Sequence, residues 1–157
     1  MRVSVQEADF DVGAETEALT AGRPDVGAVA SFVGYVRADK LAGENVAEQA
    51  VSAMTLEHYP GMTEKSLEAI VAEAESRWSL LGVRVIHRFG RLVPGDRIVF
   101  VGVAGSHRGE AFAACEFIMD YLKTRAPFWK KEDTPDGGRW VDAREADDAA
   151  AEKWGKA

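Results

Sequence analysis

The chain has 157 residues, is 46% hydrophobic and 29% charged, and carries a net charge of −7. That size and balance fit one globular domain spanning the chain, and they exclude a disordered tail or a broadly basic nucleic-acid binder. The one cysteine, Cys115, excludes an internal disulfide scaffold or a multi-cysteine metal cluster, and no apolar run approaches the roughly 18 residues of a membrane span.

The opening MRVSVQEADF has no apolar signal region, so a reducing cytoplasm is the expected location. No element is assigned before Val26. Val26 to Val36 is β-rich and reads as a strand ending at Gly34, and the polar stretch at 38–50 reads as a mobile loop. Val51 to His58 alternates as a strand does, and Pro60-Gly61 breaks it. Thr63 then caps a helix over Met62 to Trp78, whose Leu67, Ile70, Val71 and Ala74 fall at helical spacing and which Gly82 ends. Val83–Phe89 and Arg97–Val103 are strands joined by the Pro-Gly turn in RLVPGD. Ser106 reads as the cap of a second helix of about five turns, with Ala111, Cys115, Ile118 and Leu122 on one face. It ends before Pro127, because the residue preceding a proline avoids the helical region. Phe128–Lys131 and Arg139–Val141 read as short strands about the turn DTPDGG, and Arg144–Trp154 as a last helix. Paired strands between helices predict an α+β fold with antiparallel sheets.

The charge is uneven. Between Arg84 and Lys131 nine Lys or Arg face four acids, which marks a local site for a small anion or a merely solvated surface. Three places in the chain can serve such a site. Ser106-His107-Arg108 stands at a helix start, where free N–H groups and the dipole attract anions; a capped helix with two solvated side chains is the plain alternative. Lys123 and Lys130 flank the break at Pro127. Two lysines in one partly desolvated cleft lower each other's pKa and suit acid–base work, while lysines that only complement a helix C-terminus would have the same spacing. Arg37 follows a strand end, a place suited to a phosphate or to nothing. His58 and His87 have no metal-ligand spacing with each other or with His107. Cys115 reads as core, and Trp78, Trp129, Trp140 and Trp154 as core or interface anchors.

Taken together, FVGYVR (Phe32–Arg37), LEHYPGM (Leu56–Met62), HRFGRLVPGD (His87–Asp96), SHRGEAF (Ser106–Phe112), DYLKTRAPFWKKE (Asp120–Glu132) and GRWVDAR (Gly138–Arg144) resemble the large, catalytic subunit family of molybdopterin synthase. The resemblance runs from about 27 to 154. It implies an α/β-hammerhead fold with an added antiparallel β subdomain. It implies a sulfurtransferase that converts cyclic pyranopterin monophosphate into molybdopterin, with sulfur delivered as a thiocarboxylate on the C-terminal Gly-Gly of a small ubiquitin-like subunit. It also implies a homodimer carrying two small subunits, with no metal, nucleotide, nucleic acid or membrane involved. By position, the family's active-site lysines fall on Lys123 and Lys130. Its substrate-binding positions fall on Tyr35, Val36, Arg37, His107, Arg108, Lys123, Lys130, Lys131 and Glu132. Two other readings use the same residues: a lysine-dependent lyase or isomerase on a phosphorylated metabolite, which needs no sulfur donor, and a non-catalytic adaptor for a ubiquitin-like protein, which tolerates loss of both lysines.

Overall fold

In the computed structural model, residues 2–38, 53–134, 137–141 and 145–155 are described. The expected loop at 38–50 lies outside them beyond Ala38. The β-branched runs form two four-stranded sheets. In the first, β1 (Val3–Gln6), β4 (Leu80–Arg88), β6 (Arg97–Gly105) and β2 (Ala28–Tyr35) lie in that order. All its pairs are antiparallel except β1 with β4, which run parallel. In the second, β5 (Gly90–Leu92), β3 (Ala53–His58), β7 (Phe128–Thr134) and β8 (Gly137–Val141) are antiparallel throughout. The fold is therefore mixed α+β with two sheets, as the sequence predicts.

β6 is buried on both faces, which is why it reads as a nearly continuous apolar run. Val99, Val101 and Val103 meet α2 (Met62–Arg77) and α3 (Arg108–Arg125) in the main core, together with Val83 and Val85 of β4, Leu67, Ile70 and Val71 of α2, and Phe117 and Ile118 of α3. On the other face Phe100 and Ile86 meet Phe10. There α1 (Val12–Thr20) crosses Gly102; a Cβ at that position would stand 2.7 Å from Leu19 Cδ1 and 2.8 Å from the Phe100 ring. A third cluster joins Val36 to Met54, Leu56 and Leu92 beneath the second sheet. α4 (Glu145–Gly155) is pinned to α3 and α2: Trp154 Nε1 donates to Asp120 Oδ2 at 2.6 Å, and its carbonyl accepts from Arg77 at 2.8 Å.

Several local expectations need correction. β1, α1 and the three-residue β5 are unassigned in the sequence reading. Ser106 does not cap α3; His107 occupies the N-cap in an extended conformation and makes no side-chain cap bond. Thr63 is not the cap of α2, which is Gly61 at φ 84. Instead the Thr63 hydroxyl accepts from Tyr59 N–H at 3.0 Å and donates to the Pro127 carbonyl at 3.2 Å, while the cap's own N–H is met by Glu64 at 3.1 Å. Gly82 does not terminate α2; the helix ends at Arg77, and Gly82 marks a register shift inside β4. Cys115 is a core residue as expected, and burial pushes its thiol up to about 11. Among the described residues no helix is long and apolar enough to cross a membrane.

Candidate active site

The break at Pro127 turns the C-terminus of α3 directly into β7. Ala126, ahead of the proline, is extended (φ −80, ψ 130), and Phe128 N–H closes the corner on the Ala126 carbonyl at 2.9 Å. Lys123 thus sits exposed in the last turn of α3, and half-buried Lys130 follows three residues into the corner's far arm. In the β3–β7 ladder Phe128 faces His58, Lys130 faces Leu56 and Glu132 faces Met54. Side chains two apart share a sheet face. Lys130 and Phe128 therefore share one face of β7, the face on which Leu56 and Met54 of β3 join the third cluster. Lys131 belongs to the opposite face with exposed Trp129, whose ring lies 6.4 Å from that of Tyr59. The structure therefore separates Lys131 from Lys130.

His87 closes the floor of this corner. It extends the buried Val83–Val85 row of β4, and its ring stacks on Phe128 with centroids 3.7 Å apart and planes 19° off parallel. Nδ1 lies 2.8 Å from the Arg88 carbonyl, which can only accept, so the proton is on Nδ1 and Nε2 carries the lone pair. Burial pushes its pKa down to about 3; the bond to Arg88 opposes this, while the charges of Lys123 and Lys130 add to it. Both lysines lie near enough to His87 for their charges to act on its imidazole. His58 packs on Phe89 at 4.4 Å, and its buried Nδ1 has no hydrogen-bond partner among the described residues.

Arg37 reaches the same end of the molecule. Val36 is buried in the Met54–Leu56–Leu92 cluster, donates to the Asp96 carbonyl at 2.9 Å and accepts from Gly95 N–H at 2.9 Å. It thereby anchors exposed Arg37 beside the second sheet. Tyr35, half exposed, pairs across the strands with Arg97, which is itself held by Asp9 through bonds of 3.0 and 2.8 Å.

His107 and Arg108 lie elsewhere. In the β2–β6 ladder Tyr35 faces Arg97 and Ala28 faces Gly105, so Arg37 and His107 follow opposite ends of it. Nine residues of β6 span about 26 Å, and the fifteen steps of α3 from Arg108 to Lys123 about 22 Å. The strand-to-helix corner that carries His107 is close-packed: Gly27 N–H donates to the Gly105 carbonyl at 2.9 Å, and a Cβ on Gly27 would overlap the Ser106 carbonyl.

One chain therefore places Lys123 and Lys130 on the two arms of the Pro127 corner, with Glu132 further along β7 and Tyr35, Val36 and Arg37 beside the second sheet. It sets His107 and Arg108 at the far end and turns Lys131 to the other face. His87 and Thr63 were missed as contributors. The available signal was polarity out of place: His87 continues a β-branched core row, and Thr63 lies in the first turn of an apolar helix face.

A protein-family model described as "MoaE: MoaE protein" matches residues 5–125. The chain is 63% identical, over 98% of its length and 84% of the relative's, to a molybdopterin synthase catalytic subunit from Ralstonia nicotianae. A solved molybdopterin biosynthesis MoaE protein from Burkholderia ambifaria superposes with a TM-score of 0.80 at 57% identity, covering 98% of this chain and 97% of that one. A complex of subunits 1 and 2 of the molybdopterin-converting factor from Helicobacter pylori shares the fold, with a TM-score of 0.69 at 19% identity over 91% of this chain and 90% of that one. The chain belongs to the MoaE family of molybdopterin synthase catalytic subunits.

Proposed function

We propose that the chain, working as one domain in the cytoplasm, transfers sulfur from the C-terminal thiocarboxylate of a small ubiquitin-like subunit to cyclic pyranopterin monophosphate, building the dithiolene of molybdopterin. The observation that carries this reading is the Pro127 corner, which turns the helix end bearing Lys123 into the strand bearing Lys130, beside the sheet where Val36 anchors Arg37. Substrate and donor are both anions. Bringing them into one cleft costs Coulomb energy that three cationic side chains offset, the more so where burial lowers the local dielectric. Lys123, the more exposed of the two lysines, stabilises the oxyanion formed when the acyl–sulfur adduct is hydrolysed. Lys130 orients the substrate and neutralises charge as the cyclic phosphate opens. Arg37 holds the phosphate through its guanidinium fork.

His107 and Arg108 join this site from a second copy. Each chain then presents one lysine half-site and one helix-start half-site, and a two-fold dimer completes both. Two features support that assembly. β2 is an edge strand among the described residues, and Phe32 on it and Phe112 in the second turn of α3 are both exposed. The fold shared with a member of a two-subunit converting factor supports the small partner, one copy at each end of the dimer. Incubating the protein with thiocarboxylated small subunit and cyclic pyranopterin monophosphate tests the reading. Molybdopterin should form with the wild type and fall at least 100-fold with Lys123→Ala, the scale of a lost oxyanion donor. Near-normal turnover by Lys123→Ala contradicts it.

A further inference from the structure

We propose that His87 is a positioning residue: its imidazole, stacked on Phe128, sets the course of β7 and thereby where the Lys130 amine stands relative to Lys123. The inference rests on the sulfur-transfer reading only for its activity measurement.

Four observations carry it. Phe128 is two residues from Lys130 on the same face of β7, so a tilt of that ring's backbone is transmitted to the lysine. His87 lies against the ring at 3.7 Å and 19°, nearly parallel, whereas His58 on the ladder partner strand meets it at 6.4 Å and 39°. The His87 ring plane is itself fixed, because Nδ1–H is committed to the Arg88 carbonyl at 2.8 Å. Finally, β7 leaves α3 through a two-residue corner whose Pro127 carbonyl is bonded to Thr63, and the stack on His87 meets Phe128, the first residue of the strand.

An imidazole suits this place for a reason a phenyl ring does not share. The polar ring satisfies a strand-end carbonyl that would otherwise be buried beside it. It does so without charge, since burial and the neighbouring cations Lys123 and Lys130 keep it neutral. A positive charge here would repel both amines; a neutral flat ring packs against Phe128 and leaves the lysines as the site's cations. His87 thus touches neither substrate nor sulfur and works through Phe128.

The test compares His87→Val, which removes the ring, with His87→Phe, which keeps it, using protein labelled with 13C at the lysine Cε. In His87→Val the Lys130 resonance should move from its wild-type place. In the sulfur-transfer assay kcat should fall at least ten-fold with KM within two-fold, because Lys130 acts as charge develops on the substrate. His87→Phe, which keeps the stack but not the bond that fixes the ring plane, should fall between wild type and His87→Val in both kcat and the position of the Lys130 resonance. Phe128→Leu removes the same stack from the other side, should reproduce the His87→Val pattern, and replaces that variant if it does not fold. A ring-less variant with a wild-type Lys130 resonance and kcat overturns the proposal, as does His87→Phe falling as far as His87→Val. If the wild type gives no molybdopterin, the sulfur-transfer reading fails, while the Lys130 resonance still decides the role of His87.

Discussion

His87 donates one hydrogen bond, to its neighbour's carbonyl, and is otherwise buried with its ring stacked on Phe128. Its pKa of about 3 in the fold lies below the ordinary value of 6.5. The unfolded chain therefore takes up a proton at this residue between those values and the folded chain does not. Stability rises with pH across that window and is lost as pH falls through it, by at most about 1.4 kcal/mol per pH unit from this residue. Urea melts of the wild type between pH 7 and pH 4 should show that loss, and His87→Phe, with nothing to titrate there, should show a shallower slope. Equal slopes would contradict the burial of a neutral imidazole. Thr63 makes a second prediction at this scale. Thr63→Val keeps the shape but leaves Tyr59 N–H and the Pro127 carbonyl without their partner, which costs about 1–3 kcal/mol in a chemical melt. Neither residue announced its role in the sequence. A histidine in a strand and a threonine at a helix start are ordinary, and both act through contacts with residues 41 and 64 positions further along the chain, Phe128 and Pro127.

At the scale of elements, what could be read from the sequence depended on the strength of each local pattern. α3 was legible because eight of its residues are buried on one broad face and a proline stops it. α2 was legible for the same reason. α1 was not, because Leu19 is its one buried residue and no periodicity shows. β1 and β5, at four and three residues, are too short to stand out, and the parallel pairing of β1 with β4 joins segments some eighty positions apart. The lysine pair was legible because it brackets Pro127. Its neighbourhood was not, because the β3–β7 register that separates Lys130 from Lys131 is set by pairing with a distant strand. The corner between β6 and α3 carries the third prediction. Gly27→Ala would force its methyl group into the Ser106 carbonyl, so the backbone that presents His107 and Arg108 must shift. The expected cost is about 1–3 kcal/mol of stability, with a loss of turnover at conditions where the variant remains folded. A variant with wild-type melting and activity would show that the corner is not constrained as described.

On the scale of the whole molecule, the two groups of cations are held about 22–26 Å apart by the length of α3 and β6. Neither element can shorten without losing the main core, because each carries its buried residues along most of its length. The proposed chemistry needs both groups at one substrate, so it needs two chains. Mixed dimers test this directly. Arg108→Ala and Lys123→Ala proteins, each inactive alone, are to be mixed and allowed to exchange subunits before assay. If Lys123 of one copy works with Arg108 of the other, half the dimers are hybrids with one intact site each, and activity returns to about a quarter of wild type. If activity stays at the level of the separate variants although hybrids have formed, the site is not shared between copies and the account is wrong.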